Sequence, residues 1–191
     1  MFVSDLRHFL DVPDDAPGPT LAMASQLCSL VRAATAGPAG KSWVSALGCR
    51  RRPDHRPCTG RMVLFRPEVG TPIEWRCDAC GDEGVISGWE GSYADLRRPG
   101  GRPRQGGREV PVPDHVAAAL RDLRLLDTDA ERVVYAARAD RSGQGAILEL
   151  DDEGLDELAG FVAAEANHEP DRRRQKRLDE AFNVLSDAGT A

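Results

Sequence analysis

The stretch "EWRCDACGDEGVISGW" (residues 74–89) places Cys77 and Cys80 two residues apart at the start of a turn that contains glycine. A run with the composition of a β-strand, GVISGW, follows directly. A Cys-x-x-Cys pair can be a redox dithiol, half of a metal site, or two small buried side chains. Redox pairs typically lie at the N-terminus of a helix, whereas a turn and a strand follow Cys80. The local pattern therefore favours a metal site.

A second pair of cysteines, Cys49 and Cys58, lies upstream, and Cys58 is also followed by a glycine and a strand candidate. Two turns of this kind can bring four thiolates onto one tetrahedral Zn²⁺ ion. The loop between Cys49 and Cys58, RRRPDHRP, is longer than the usual spacing, so it is expected to protrude. We predict a structural Zn²⁺ bound by Cys49, Cys58, Cys77 and Cys80, with His55 as the alternative to Cys49.

Residues 49–89 resemble the zinc ribbon class through "GCRRRPDHRPCTGRM" and "WRCDACGDEGVISGW". Over more of its length the sequence is similar to a group of small, uncharacterised bacterial proteins with a Cys₄ zinc ribbon at the centre. This resemblance implies a three-stranded ribbon around the metal. It implies no activity, because zinc ribbons serve transcription, translation and scaffolding alike.

The periodicity of the remaining sequence predicts an α+β fold. Ser4 is expected to cap a short first helix, SDLRHFL, and residues 20–36 to form an amphipathic helix that buries Cys28. Further expected elements are β-strands at residues 61–66, 73–77 and 84–89, a strand and a short helix in EVPVPDHVAAALRDL, a β-hairpin in ERVVYAARADRSGQGAILEL, and helices at 152–168 and 171–186. The predicted buried residues of the last two helices are Leu155, Leu158, Phe161 and Val162, then Leu178, Phe182 and Leu185.

These elements group into four segments. The composition of RPGGRPRQGGR, with four glycines and two prolines, predicts a flexible linker or loop rather than a core element. The segments are a helical N-terminal arm (residues 1–40), a central three-stranded zinc ribbon (41–97), the linker or loop (98–108), and an α+β module with a β-hairpin and a helical pair (109–191).

Charge is distributed unevenly along the chain, whose formal net charge is −6. Residues 109–191 hold 19 acids against 10 bases, whereas the Cys49–Cys58 loop is rich in arginine. Guanidinium groups in a protruding loop favour phosphate contact, and nearby aromatic residues could stack on bases. Alternatively, the arginines stabilise the −2 charge of a zinc ion bound by four thiolates. The candidate nucleic-acid contacts are Arg50, Arg51, Arg52 and Arg56.

The sequence also argues against several classes of protein. It has no apolar run near the roughly 18 residues of a membrane span, no cleavable leader pattern, and an odd number of cysteines, five, which argues against a disulfide framework. It shows no G-x-S-x-G, P-loop or Rossmann motif. Glu165 and His168 have the spacing of a di-iron ligand pair but lack a second copy.

We therefore expect a cytoplasmic, non-enzymatic, zinc-stabilised protein that binds a macromolecule within gene expression or its regulation. Its partner is expected to be nucleic acid or a partner protein. No membrane and no small-molecule substrate are expected. The rival hypothesis is a protein–protein adaptor in which the ribbon is purely structural and the acidic helices make the contact.

Overall fold

The computed structural model describes residues 1–70, 72–97, 107–141 and 143–189. Within these ranges the chain forms five α-helices and eight β-strands, which confirms the α+β class. The chain divides into two compact units, residues 1–97 and residues 98–191. The predicted linker 98–108 lies outside the described residues except for Gly107 and Arg108, and Arg108 begins a strand.

The first unit is a five-stranded sheet with one α-helix. Its elements are β1 (Phe2–Asp5), α1 (Gly18–Ala36), β2 (Trp43–Gly48), β3 (Arg61–Phe65), β4 (Ile73–Cys77) and β5 (Glu83–Ser87). Strand β1 pairs with β5 in parallel, and β5–β4, β4–β3 and β3–β2 are antiparallel neighbours. The three strands predicted for the ribbon, β3, β4 and β5, are therefore adjacent, but they form the centre of a larger sheet.

Strand β4 shows how the core of this unit fixes the direction of one cysteine. Ile73, Trp75 and Cys77 are buried, whereas Glu74 and Arg76 between them are exposed. Alternate side chains of a strand point to opposite faces, so Cys77 lies on the same face as the core residues. Helix α1 contacts β2, β3 and β4 and contributes its own buried apolar side chains to the unit. Cys77 is thus anchored at the end of a core strand.

The beginning of the chain differs from the sequence prediction. Ser4 caps no helix; it lies in β1 and is buried. The predicted helix is a single 3₁₀ turn, Leu6–Phe9, and its cap is Asp5, whose side chain accepts a hydrogen bond from the Arg7 N–H at 3.0 Å. The strand forms because β5 offers a free edge to Phe2–Asp5, a long-range pairing that local propensity does not report.

The described residues of the second unit form three strands and four α-helices. The elements are β6 (Arg108–Pro113), α2 (Asp114–Arg121), α3 (Thr128–Ala136), β7 (Arg138–Ala139), β8 (Gly145–Leu150), α4 (Asp152–His168) and α5 (Arg172–Gly189). Strand β8 is the central strand and pairs antiparallel with β6 and β7. The predicted strand and short helix, a β7–β8 hairpin and the terminal helical pair are all present.

The hairpin predicted over residues 131–150 is only partly correct, because residues 131–136 belong to α3 and the pairing is confined to β7 and β8. The adjacent β-branched residues of this run favour a strand. Two features override that preference: Asp127 caps the helix by accepting from the Ala130 N–H at 2.8 Å, and Val134 and Tyr135 are buried by packing. Tertiary contacts and a cap therefore decide this element.

The terminal helices pack mostly through the residues that periodicity predicts. Leu155, Leu158, Val162, Leu178 and Leu185 are buried as expected. The exceptions are Phe182, which is 38% exposed, and Phe161, which is only half-buried. Ala181 is fully buried where α5 faces the core, because a small side chain allows closer approach of the two helices.

Arg174 holds the corner between α4 and α5. Its guanidinium pairs with Glu165 and Glu169, all three side chains being mostly buried, and donates to the Asp122 carbonyl at 3.0 Å. Glu165 also accepts from the Arg124 N–H at 2.8 Å. Burial raises the pKa of Glu165, but the Arg124 N–H and the Arg174 guanidinium outweigh burial and hold that pKa below its ordinary value. Each charged group in this corner therefore has an oppositely charged partner.

We predict that Arg174→Met destabilises the second unit by about 3–5 kcal/mol, because the buried Glu165 carboxylate loses its cation. Urea unfolding followed by far-ultraviolet circular dichroism measures this, and exposed Arg173→Ala, the control, should change stability by less than about 0.5 kcal/mol. Since the folded pKa of Glu165 is depressed, its stabilisation is present above the unfolded value of 4.5 and is lost as pH falls through the folded pKa. The difference between parent and variant should therefore shrink on acidification. An equal effect of both substitutions would contradict this account.

Candidate metal centre

Four cysteines meet at one end of the sheet in the first unit. Cys49 follows β2, Cys58 precedes β3, Cys77 ends β4 and Cys80 lies in the turn before β5. All four Sγ atoms lie within 4.8 Å of one another. The Cys49–Cys80 and Cys58–Cys77 sulfur pairs are each 3.7 Å apart. Zinc–sulfur bonds of about 2.3 Å in a tetrahedron require sulfurs about 3.8 Å apart, so the group has the dimensions of a metal site.

The long spacing of the first pair is accommodated by a hairpin. The Cys49 N–H donates to the Gly60 carbonyl at 2.8 Å, and the Cys58 N–H donates to the Arg51 carbonyl at 2.9 Å. These bonds extend the antiparallel β2–β3 pairing beyond the strands and bring the two cysteines together. Only residues 52–57 remain outside this pairing, and they form the protruding tip that the sequence predicted.

The second pair lies in a tight turn tied to β3. The Cys77 N–H donates to the Asp82 carbonyl at 2.7 Å and closes the turn, in which Gly81 has a φ of +70°. Asp78 joins the turn to Arg61: its side chain accepts from the Arg61 N–H at 2.7 Å, and its own N–H donates to the Arg61 carbonyl at 3.0 Å. The two cysteine turns therefore have a fixed relative position.

Backbone N–H groups point at the sulfurs. For three of the cysteines, the backbone N–H group two residues later in the chain donates to the cysteine Sγ atom at 3.4 Å. The pairs are Arg51 with Cys49, Gly60 with Cys58, and Ala79 with Cys77. The Asp82 N–H does the same for Cys80 and lowers the pKa of that thiol. Hydrogen bonds from N–H groups favour the thiolate, which is the form that binds metal.

Burial and the closeness of the other sulfurs have the opposite effect on the pKa of Cys49 and Cys77 in the absence of a cation. Burial, together with the neighbouring sulfurs, raises the pKa of Cys49 to about 12, and burial also raises the pKa of Cys77. Several thiolates within 4.8 Å of one another repel. A divalent cation removes this penalty because it favours the charged form of every ligand. The donor set therefore fits a thiophilic metal ion.

The alternative ligand His55 is not part of the four-sulfur group. It is exposed at the tip of the loop, in the short 3₁₀ turn Pro53–His55, and has a φ of +64°. Cys28, predicted to be a small buried residue, is buried on α1, and its Sγ atom lies 3.3 Å from the Tyr93 hydroxyl. Cys28 is likewise outside the group.

The arginines near the cysteines divide into two kinds. Arg61 and Arg66 donate to backbone carbonyls within the unit, which leaves them structural roles. In the loop, Arg50 donates to the Ala22 carbonyl at 3.1 Å, and Arg51 lies 3.8 Å from the Asp82 carboxylate. These loop arginines line a cleft of about 670 Å³ together with Arg52, Pro53, Cys80, Gly81 and Asp82.

Two of the aromatic residues near the cysteines are unavailable for base stacking. Trp75 is 6% exposed and Trp89 is 1% exposed, so both belong to the core. Tyr93 is exposed but contacts Cys28 and Arg32 on α1. A small sheet needs large side chains for its core, and that requirement accounts for the clustering of tryptophan in this stretch.

Sequence reasoning noted the glycine after Cys58 as part of a turn but not its close contact with Cys77, and it missed Asp78. A Cβ atom on Gly60 would lie 2.4 Å from the Cys77 Sγ atom, so the close approach of the two turns requires glycine there. The signal was available: a glycine follows Cys58 by two residues, as one follows Cys80 directly. Glu165 and His168 form no second centre, because Glu165 is paired with Arg174 and the His168 ring contacts the Ala164 carbonyl.

Comparison of the chain with known protein families, with curated sequences and with solved structures finds no match. The resemblance to zinc ribbons therefore rests on the cysteine turns alone. Among the described residues, none of the helices combines the length and apolar composition needed to cross a bilayer.

We predict that Gly60→Ala destabilises the first unit by about 1–3 kcal/mol, because the added methyl group displaces the Cys77 sulfur. Gly48→Ala is the matched control, since a Cβ there meets nothing within 4 Å. Urea unfolding followed by tryptophan fluorescence measures this selectively, because Trp43, Trp75 and Trp89 all lie in this unit. Equal stability of the two variants would show that the turns do not need this close contact.

Proposed function

We propose that Cys49, Cys58, Cys77 and Cys80 bind one structural Zn²⁺ ion in a zinc ribbon formed by β3, β4, β5 and the two cysteine turns. We further propose that the protein is a non-enzymatic, cytoplasmic, nucleic-acid-binding protein that acts in gene expression or its regulation. The observation that carries the proposal is an exposed arginine loop held at both ends by the four-sulfur group.

The metal assignment follows from ligand chemistry. Four thiolates at tetrahedral separations suit Zn²⁺, whereas Mg²⁺ and Ca²⁺ prefer oxygen ligands. Four protein ligands leave no open position for water, which supports a structural rather than a catalytic ion. When bound, the ion supplies positive charge that holds the thiolates together. The backbone N–H groups share in balancing the remaining negative charge.

We predict one zinc per chain in protein purified without chelator. Cys77→Ser should lose the metal and unfold the first unit, because structural zinc contributes on the order of 10–16 kcal/mol in finger peptides. Elemental analysis and tryptophan fluorescence measure the two effects. Cys28→Ala is the control: it lies outside the group, so it should retain zinc and cost at most a few kcal/mol. Well under half an equivalent of zinc in the parent protein would refute the assignment.

The loop arginines are suited to phosphate contact. Each guanidinium has five N–H donors, and the single contacts of Arg50 with Ala22 and of Arg51 with Asp82 leave most of these donors for a ligand. The hydrogen bond to the Ala22 carbonyl restricts the Arg50 side chain, which reduces the entropy lost on binding. Arg52 and Arg56 are exposed beside them. The loop thus presents several guanidinium groups, and its two ends are fixed at Cys49 and Cys58.

The structure also supports a particular kind of nucleic-acid binding. The loop itself contains no Phe, Trp or Tyr, and Trp75 and Trp89 are in the core, so the loop offers phosphate contacts without large aromatic side chains of its own. Phosphate contacts carry little sequence information. Binding should therefore be independent of sequence and weak at physiological salt, since the chain as a whole carries a net charge of −6.

A second candidate function is a protein–protein adaptor that uses the acidic helices of the second unit. Gly189 at the end of α5 lies against Leu155 near the start of α4, so the two helices are antiparallel. The acidic start of α4 and the basic start of α5 therefore lie at opposite ends of the helical pair. This separation leaves the exposed acids Glu153, Asp156 and Glu157 available to a basic partner.

We predict that replacing Arg50, Arg51, Arg52 and Arg56 with serine leaves zinc bound but abolishes binding to a mixed RNA or DNA pool at physiological salt. If each arginine contacts one phosphate, the slope of log K against log salt, measured at low salt where binding remains, should fall by about 3. The matched control removes the same charge elsewhere: Arg172, Arg173, Lys176 and Arg177, all exposed on α5, are replaced with serine. Fluorescence anisotropy over a salt series and elemental analysis are the measurements.

The outcomes separate the two functions. Salt-dependent binding that survives the loop substitutions would contradict the nucleic-acid proposal, as would absence of binding in the parent protein. Loss of zinc from the loop variant would show that the arginines support the metal centre instead. Recovery of the protein from cells, with and without nuclease treatment, tests the adaptor function. The adaptor function predicts that a protein partner stays bound after nuclease treatment. That partner should be lost when Glu153, Asp156 and Glu157 are replaced with glutamine.

A further inference from the structure

The four cysteines of the proposed zinc site differ in exposure. Cys77 is 2% exposed and lies on the core face of β4, and Cys49 and Cys58 are half-buried. Cys80, in contrast, is exposed. Among four chemically identical ligands, Cys80 is therefore the most accessible to solvent.

The exposed cysteine also lines a cleft. Cys80 borders the cleft of about 670 Å³ between the arginine loop and the second cysteine turn. The remaining lining residues, Arg50 to Pro53 with Gly81 and Asp82, are mostly polar. A small, polar, uncharged oxidant such as hydrogen peroxide fits this cleft. Cys49, whose Sγ atom is 3.7 Å from that of Cys80, is in position to react with an oxidised Cys80.

We propose that Cys80 is the site of oxidation by hydroperoxides and that it forms a disulfide with Cys49, which releases the zinc ion. This inference rests on the proposed zinc site. The Cys80 thiolate attacks one peroxide oxygen and breaks the O–O bond, giving a sulfenic acid and, after protonation, water. The Cys49 thiolate then attacks the Cys80 sulfur and displaces hydroxide. In sum, two thiolates, one H₂O₂ and two protons give one disulfide and two waters.

The geometry favours this pair over the other close pair. The Cys58–Cys77 sulfurs are also 3.7 Å apart, but Cys77 is buried, and access controls the rate of thiol oxidation. A disulfide requires sulfurs about 2.0 Å apart, so Cys49 and Cys80 must approach each other. Zinc then retains two thiolates instead of four and dissociates.

Oxidation has a consequence for the arginine loop. In the zinc-bound state the metal holds both Cys49 and Cys58 and therefore both ends of the loop. The disulfide keeps Cys49 against the second turn but leaves Cys58 without its anchor. Affinity of the loop for nucleic acid should therefore fall on oxidation and return when a thiol reductant and zinc are added.

The test uses full-length, zinc-loaded protein carrying Cys28→Ala, which leaves only the four cysteines of the centre. Hydrogen peroxide is added in small excess, zinc release is followed with a chromogenic chelator, and disulfides are mapped by mass spectrometry without reduction. Cleavage before aspartate separates the cysteines: Cys49 lies in the peptide 15–53, Cys58 and Cys77 in 54–77, and Cys80 in 78–81. The expected product links peptide 15–53 to peptide 78–81.

Cys80→His tests the role of this ligand, because Cys₃His sites also bind structural zinc. Its zinc content is measured before peroxide is added. Peroxide should release zinc from Cys80→His at least about tenfold more slowly than from the parent, because histidine forms no sulfenic acid. The control is His55→Ala, a change at an exposed residue outside the four-sulfur group, which should release zinc as fast as the parent. If Cys80→His is isolated without zinc, the disulfide map of the parent protein decides.

The outcomes distinguish this inference from the proposed function. Absence of zinc before peroxide is added refutes the metal assignment itself. Three results for a zinc-loaded parent protein would overturn this inference but not the metal assignment. These are a disulfide within peptide 54–77, the absence of any disulfide, and retention of zinc after peroxide is added. Equal rates of zinc release from Cys80→His and the parent would overturn it as well.

Discussion

The convergence of four sulfur atoms within 4.8 Å is the constraint on which the first unit depends. Neutral thiols have little reason to gather in this way, and thiolates repel, so a cation is the simplest means of stabilising the group. The surrounding chain is organised accordingly. The β2–β3 pairing continues into the loop, Asp78 fastens the second turn to Arg61, and Gly60 leaves room for the Cys77 sulfur.

The four-sulfur group connects the proposed nucleic-acid contact of the arginine loop with the proposed oxidation of Cys80. Its buried side, at Cys77, is part of the hydrophobic core, whereas its exposed side, at Cys80, borders the arginine-lined cleft. In the proposed zinc-bound state, the metal would hold both ends of the arginine loop, which has no core of its own. The proposed oxidation of Cys80 would therefore act on this loop.

The second unit is stabilised differently. It contains none of the five cysteines and depends on apolar packing of its helices with one buried charged corner at Arg174. A buried ion pair of this kind contributes little over an apolar contact, but losing one partner is costly. The antiparallel helical pair also separates the acidic start of α4 from the basic start of α5, a separation that leaves each charged surface available for contact.

The sequence alone determined the features that depend on local pattern. Residue types and spacing indicated the four cysteines, the α+β class, the helix α1, the strand β4 and the helical pair, because periodicity and turn composition act over a few residues. Tertiary structure decided what depends on distant partners. It placed Phe2–Asp5 beside β5, made residues 131–136 part of a helix where the sequence predicted the start of a hairpin, and buried two of the aromatic residues near the cysteines, Trp75 and Trp89. It also folded the eight-residue spacing of Cys49 and Cys58 into a hairpin. Burial and long-range pairing arise only when segments far apart in the chain meet, and no local pattern reports that meeting.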